Sequence, residues 1–130
     1  DKLRRNIPFT MDEHNWDEAL RYFYKAWNLL PKPQTEWKES GWILTALGDT
    51  YFRAGRYRPA KEALNSALHC QGINYNPFVL LRVGQALLEQ GDAGRAHETL
   101  AFAYKKGGRS LFKNEAPKYL LAALQAPVSK

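Results

Sequence analysis

The residues of this 130-residue chain that could perform chemistry are few and scattered. Its histidines, His14, His69 and His97, stand on three different predicted helices, without a Cys, Asp or Glu at metal-ligand spacing. The sequence contains no Gly-rich phosphate loop, dinucleotide fingerprint or nucleophile elbow. The sequence therefore predicts no catalytic residue, no metal and no cofactor, and a protein that is not an enzyme.

The elements that must carry any function are predicted to be six helices, over residues 11–30, 36–54, 57–70, 76–90, 93–106 and 115–125. Proline follows the first helix at Pro31, and Pro117 lies in the first turn of the last one. The helices between them are closed by glycines, at Gly55, Gly72, Gly91 and Gly107. Residues 1–10 are predicted to be a basic, proline-containing lead-in, and residues 11–130 a single helical domain.

Two stretches repeat each other at an offset of 36 residues, as Leu47-Gly48-x-x-Tyr51…Gly55…Ala60-x-x-x-Leu64-x-x-Ala67 and Val83-Gly84-x-x-Leu87…Gly91…Ala96-x-x-x-Leu100-x-x-Ala103. Small residues recur where two helices must approach closely, and large apolar residues recur around them at helical spacing. Each unit is therefore predicted to be a pair of antiparallel helices. A period of this length is typical of stacked repeats, in which no unit can bury its apolar face alone.

The first unit, Leu44-x-x-Leu47-Gly48-x-x-Tyr51…Ala60-x-x-x-Leu64…Ala67, resembles a tetratricopeptide repeat (TPR). Leu44 and Leu80 stand where that family usually has Trp, and Leu64 and Leu100 replace its Phe. A half copy, Ala19-x-x-x-Phe23-x-x-Ala26…Pro31, resembles the second helix of a unit and its closing proline. The resemblance implies an all-α, TPR-like helical-hairpin superhelix of about six helices: a half repeat, two full repeats and a C-terminal capping helix.

In TPR proteins the first helix of each pair lines the concave side, where partners usually lie. Carried over to this chain, the resemblance places Trp42, Thr45, Asp49, Phe52 and Arg53 on the groove, beside Phe78, Leu81, Arg82, Gln85 and Glu89. Aromatic residues with an arginine are the composition of an interface hot spot. In a second interpretation, Trp42, Phe52 and Phe78 pack against the first helix, which has to cover the open end of the stack. Both interpretations stay open at this point.

Family members that hold the C-terminal carboxylate of heat-shock chaperones use a Lys and an Asn on the first helix of one repeat. Thr45 and Asp49 occupy those positions here. A carboxylate clamp is therefore not expected.

The charge of the chain is unevenly distributed. Residues 1–39 hold seven basic and seven acidic side chains, so the whole formal charge of +6 lies in residues 40–130, which hold twelve and six. Two concentrations stand out: Arg53, Arg56, Arg58 and Lys61, and then Lys105, Lys106, Arg109, Lys113 and Lys118. Such a field favours a partner with an acidic patch and adds Arg56 and Arg58 to the predicted partner-binding residues. The alternative is a basic face that is merely solvated.

Several partner classes are disfavoured by the sequence. The basic residues are not interleaved with exposed aromatics as in single-strand platforms, so no nucleic acid is expected. The chain has no apolar run long enough to span a membrane, and its amphipathic helices look core-facing, so no membrane is expected either. The single Cys70 cannot form an internal disulfide, which fits the cytoplasm. The chain begins at Asp1 without a Met. The possibility that an upstream segment was removed or left out stays open.

A closer resemblance covers residues 27–120, from Trp27-Asn28-Leu29-Leu30-Pro31 to Pro117-Lys118-Tyr119-Leu120. This string resembles small bacterial TPR proteins encoded beside polymorphic or contact-delivered toxins. The resemblance implies an immunity protein, a cytoplasmic antidote that binds a cognate toxin domain and blocks its active site. Two alternatives are a TPR adaptor or secretion chaperone that holds an extended peptide, and a structural repeat within a larger assembly.

Overall fold

A computed structural model of the protein describes residues 15–125. Within that range the chain forms six α-helices and no strand. The helices are α1 Trp16–Asn28, α2 Lys38–Arg53, α3 Tyr57–Leu68, α4 Pro77–Glu89, α5 Ala93–Gly107 and α6 Pro117–Leu124. Short 3-10 helices span Gln34–Glu36 and Arg109–Phe112. The predicted all-α, TPR-like helical-hairpin fold is confirmed, whereas the lead-in of residues 1–10, His14 and the start of the first predicted helix lie outside the described residues.

The ends of the central helices follow local sequence signals. Before α4, the Asn76 side chain accepts a hydrogen bond from the Phe78 backbone N–H at 2.9 Å, and Pro77 fills the first turn. Gly91 takes a left-handed φ of 86° directly after the last turn of α4. At the end of α5 the predicted terminator was one residue early, because Gly107 is still helical and Gly108 adopts the left-handed φ of 77°.

The 36-residue repeat reappears in the packing between helices. Gly48 of α2 lies against Leu64 of α3, where an added Cβ would stand 2.3 Å from the leucine Cγ. Gly84 of α4 lies against Leu100 of α5 in the same way, at 2.6 Å. Because each glycine lacks a Cβ, the two helices of each hairpin can approach closely around a fully buried leucine. The contact itself is therefore repeated, as well as the sequence.

The hairpins stack so that α4 is the central helix. Nine of its thirteen residues are buried, and they run without a break from Val79 to Leu87. The apolar core forms three connected groups, of which the one at α1 consists of Ala19, Leu20, Phe23 and Leu47. Further along the chain, α6 packs against α5, while Glu115 before it contacts Arg82 of α4 and Tyr119 within it contacts Glu89 of α4. This path brings the segment before α6 onto the face that α2 and α4 share.

Candidate protein-binding surface

Arg82 is the centre of the face shared by α2 and α4. The residue is only 5 % exposed, although it carries a charge. A buried guanidinium is tolerated only when its N–H groups have partners. Its Nε donates to Asp49 Oδ1 at 2.7 Å, and its Nη1 donates to Gln85 Oε1 at 2.8 Å and to Glu115 Oε1 at 2.9 Å. Arg82 therefore ties α2, α4 and the segment before α6 together.

Two aromatic rings enclose the same guanidinium. Its Cζ lies 5.0 Å from the centroid of the Phe52 ring and 4.8 Å from that of Phe78. Both distances are within the range of cation–π attraction, which is strengthened where water is excluded. Gln85 completes the arrangement by donating from Nε2 to Glu115 Oε1 at 2.8 Å. We call this set the Arg82 cluster; its members are Asp49, Phe52, Phe78, Arg82, Gln85 and Glu115.

A second polar group lies further along α4, at Glu89. Its Oε2 accepts from the Tyr119 hydroxyl at 2.5 Å and lies 2.6 Å from the Lys118 Nζ. These partners, Lys118 first, hold the pKa of Glu89 below its usual value. Burial, and then the bond to Glu89, raise the pKa of the Tyr119 phenol. Lys118 is therefore occupied internally.

Three of the ten predicted partner-binding residues lie in the interior, which corrects the expectation that they line an open groove. Gln85 is fully buried and Arg82 nearly so, and Thr45, 6 % exposed, donates from Oγ1 to the Gly41 carbonyl at 2.7 Å. The two residues on α4 are covered because the segment before α6 folds over them with Glu115. Direct contact of these three side chains with a partner is therefore not expected.

The other predicted residues keep exposed surface to different degrees. Trp42 is 54 % exposed and lies two helical turns before Asp49 on the same face of α2. Asp49, Phe52 and Phe78 are half-buried within the Arg82 cluster, and exposed Arg53 lies 3.4 Å from Asp49 Oδ2. Phe52 and Phe78 pack with the central and C-terminal core and are absent from the core group at α1. Phe52 and Phe78 therefore pack internally, but against these parts of the core and not against α1 as the second interpretation expected.

Arg56 and Arg58 lie apart from this face, where α2 ends and α3 begins. Arg56 Nη1 lies 2.8 Å from Asp17 Oδ1 at the start of α1, and Arg58 Nε lies 3.7 Å from Glu62 Oε2. The hydrogen bond and charge of Arg56 lower the pKa of Asp17. Their part in binding a partner stays a prediction.

Sequence reasoning missed Glu115 and Tyr119, as well as the pairing of Lys118 with Glu89. One signal was available, since α4 carries a single arginine among apolar residues, and a buried arginine requires a carboxylate. Glu115 stands 33 residues away, in a connection whose direction the sequence does not specify.

The described residues contain little that could support catalysis. No group of three or more His, Cys, Asp or Glu in residues 15–125 could hold a metal ion. His69 and His97 each bind a backbone carbonyl through Nδ1, of Asn65 and Ala122. Burial raises the pKa of the Cys70 thiol, which disfavours the reactive thiolate. Across the same range, every helix is too short or too polar to cross a membrane.

The comparison with protein families agrees with this architecture. The family model of the tetratricopeptide repeat matches residues 9–70, which include α1, α2 and α3. No curated protein matches the chain. The match and the helical-hairpin fold together support a TPR protein, a class whose members typically bind other proteins without catalysing a reaction.

Proposed function

We propose that this chain is a non-enzymatic protein-binding module, and specifically a bacterial immunity protein that neutralises a cognate toxin domain in the cytoplasm. The proposal takes residues 11–130 as one binding domain. The resemblance of residues 27–120 to TPR proteins encoded beside toxins supports this role. Blocking an active site requires only a tight complex, so the antidote itself needs no catalytic residues.

The observation that carries the proposal is that exposed Trp42 lies beside the Arg82 cluster, whose polar side chains are already held by hydrogen bonds to one another. The charged and amide groups of the Arg82 cluster are hydrogen-bonded before any partner arrives. A rigid, preorganised surface loses little side-chain entropy on binding. Such a surface suits a folded partner of matching shape, and Trp42 provides the large apolar anchor typical of hot spots.

The alternative function is a TPR adaptor or secretion chaperone that holds an extended peptide in the groove. An extended peptide needs free donors and acceptors for its backbone and side chains along the groove. Arg82 and Gln85 do not provide them, because their polar groups are engaged with Asp49 and Glu115. The internal pairing therefore favours the antidote over the adaptor.

Growth of bacteria tests the proposed role. Cells that produce the toxin encoded beside this protein should stop growing, and co-production of the protein should restore growth. The two purified proteins should also elute together in gel filtration. Absence of both protection and complex would refute the antidote, and binding of a short unfolded peptide from the toxin, equal to that of the folded domain, would support the adaptor instead.

Trp42→Ala tests the binding surface within the same assay. We expect the complex to weaken by about 2 kcal/mol, because an exposed tryptophan anchor is lost while the core is untouched. Leu121→Ala is the matched control, since Leu121 is an exposed apolar residue on α6. Affinity can be measured by titration calorimetry and folding by circular dichroism. Equal effects of the two substitutions would remove Trp42 from the interface.

A further inference from the structure

The basic side chains of the two concentrations differ in how they are paired. Three of the four members of the first concentration, Arg53, Arg56 and Arg58, have a carboxylate within 4 Å, and Lys61 has no ion pair among residues 15–125. In the second concentration, Lys118 is paired with Glu89. Among residues 15–125, no ion pair engages the remaining four, Lys105, Lys106, Arg109 and Lys113. Lys106 Nζ lies 5.6 Å from the centroid of the Phe102 ring, and positive charge that no carboxylate pairs with therefore collects where α5 leads into α6.

A cleft of about 620 Å³ opens beside these charges. Its lining combines an apolar part, from Phe112, Pro117 and Leu120, with a polar part, from Arg109, Ser110 and Lys113. Glu115 also borders it, but its Oε1 accepts from Arg82 and Gln85 and is therefore already engaged. The volume is sufficient for a large apolar side chain with room for its neighbours.

We propose that this cleft is a second docking site, which takes an apolar side chain of a protein partner whose flanking carboxylates pair with Arg109 and Lys113. Charge complementarity assigns the occupant, because exposed cations without internal partners attract an acidic segment and lose little on pairing with it. The apolar wall adds specificity. Burying one leucine-sized side chain in it gives a favourable free energy that charge pairing alone does not provide. The inference rests on the proposed function, in that the occupant is a protein.

A synthetic peptide provides the probe. The peptide carries one Leu-Phe pair within a run of Asp and Glu and a fluorescent label, and its binding to the intact protein is measured by anisotropy. A matched peptide has Ser-Ser in place of Leu-Phe. We expect the Leu-Phe peptide to bind at least about 10-fold more tightly, and both to bind more weakly as salt rises, since screening acts on exposed charges.

Two variants separate the charges from the cleft. Arg109→Glu with Lys113→Glu reverses the rim and should weaken binding by about 10-fold or more. Ser110→Trp fills the cleft without changing any charge and should weaken only the Leu-Phe peptide. Lys25→Glu with Lys38→Glu makes the same change of charge on exposed lysines of α1 and α2 and should leave affinity within about twofold.

Each outcome decides the inference. Equal affinity of the two peptides, or an unchanged affinity of Ser110→Trp, would remove the cleft as a docking site. Tighter binding of single-stranded oligothymidylate or of anionic phosphatidylserine vesicles than of the Leu-Phe peptide would overturn the assignment to a protein. If the cognate toxin still forms a complex with the double variant at full affinity, this inference fails while the proposed antidote role stands.

Discussion

The central helix α4 and the first helix α1 have the same length but are held in different ways. Each contains thirteen residues, of which nine are buried in α4 and three in α1. The buried face of α4 includes a charged residue, Arg82, whose acceptors come from α2 on one side and from the segment before α6 on the other. The core residues of α1 are apolar, and its side-chain hydrogen bonds include surface pairs such as Tyr24 with Tyr51.

This difference teaches where a repeat protein can place a buried charge. A guanidinium needs several acceptors at once, and only a helix flanked by two neighbours can receive them from both. The middle of the stack is therefore rigid, and we expect α1 to open first, since fewer buried apolar contacts oppose its local unfolding.

The largest expected effect comes from Arg82→Ala, which would break the middle of the stack. Removing the guanidinium leaves Asp49 with only the exposed Arg53 and Glu115 with only the Gln85 amide, and we expect the free energy of unfolding to fall by about 3 kcal/mol. The value lies at the lower end of the usual range because the two carboxylate side chains keep 16 % and 18 % exposure to water. Urea unfolding followed by circular dichroism measures it.

The control for Arg82 is Arg95→Ala, which removes an exposed arginine paired with Asp92 at 3.1 Å. It should cost about 0–1 kcal/mol. A cost of Arg82→Ala no greater than that of the control would show that the Arg82 cluster does not hold the centre together.

Next in size is the cost of a methyl group at the two repeated glycines. Gly84→Ala should destabilise the protein by about 2 kcal/mol, because α4 is confined on both sides and cannot move away from Leu100. Gly48→Ala should cost about 1 kcal/mol, because α2 can shift toward the less buried α1.

Adding Leu100→Ala to Gly84→Ala relieves the overlap, so the double variant should lose less stability than the sum of the two single ones. Chemical denaturation of the four proteins gives the comparison. If Gly48→Ala proved the costlier of the two glycine variants, the expected difference in rigidity between the centre of the stack at α4 and its α1 end would be reversed.

A smaller effect is expected for the tyrosine pair that links α1 to α2. The two hydroxyl oxygens of Tyr24 and Tyr51 lie 2.8 Å apart, and Tyr51→Phe should cost about 1 kcal/mol. Burial, and then this bond, raise the pKa of Tyr51 from 10.0 to about 12. The folded state therefore holds its proton longer than the unfolded state, and this contribution to stability is lost as the pH rises from 10.0 through about 12.

Melting temperatures measured through that alkaline range should fall less steeply for Tyr51→Phe than for the unchanged protein. Tyr75→Phe, at an exposed tyrosine in the connection before α4, serves as the control and should keep the full slope. Identical slopes for all three proteins would exclude Tyr51 as the source.

The smallest effect is expected at Glu89, because its paired cation, Lys118, is exposed. Because the pKa of Glu89 is lowered in the folded state, its contribution is present above the unfolded value of 4.5 and is lost as the pH falls through the folded value. Glu89→Gln should flatten the acid limb of the stability profile and cost about 0.5 kcal/mol near neutral pH. Glu98→Gln, on the exposed face of α5, is the control, and an equal flattening by both would contradict the role of Glu89.

Much of the fold could be predicted because its signals are local. Pro77 after Asn76 started α4, Gly91 ended it, and the spacing of Gly84 and Leu100 placed α5 against it. Each signal acts within a few residues or within one hairpin. The misplaced terminator at Gly107 differs by one residue because adjacent glycines both permit a left-handed φ.

The candidate surface was harder to predict, because burial depends on what lies above a residue. Asp49, Phe52, Phe78, Arg82 and Gln85, which the TPR resemblance assigned to one groove, contact one another across α2 and α4. Glu115, which covers part of that face, lies in an irregular segment whose course no periodic pattern encodes.

The sequence by itself determined the helical hairpins and their repeat, because small and large residues at helical spacing specify close packing between neighbouring helices. Only the tertiary structure decided that Arg82 is buried and hydrogen-bonded between helices and that Trp42 stays exposed. The course of the connection between α5 and α6 results from packing across the whole stack. That course decides which residues on the face of α2 and α4 are buried, such as Arg82 and Gln85, and which stay exposed.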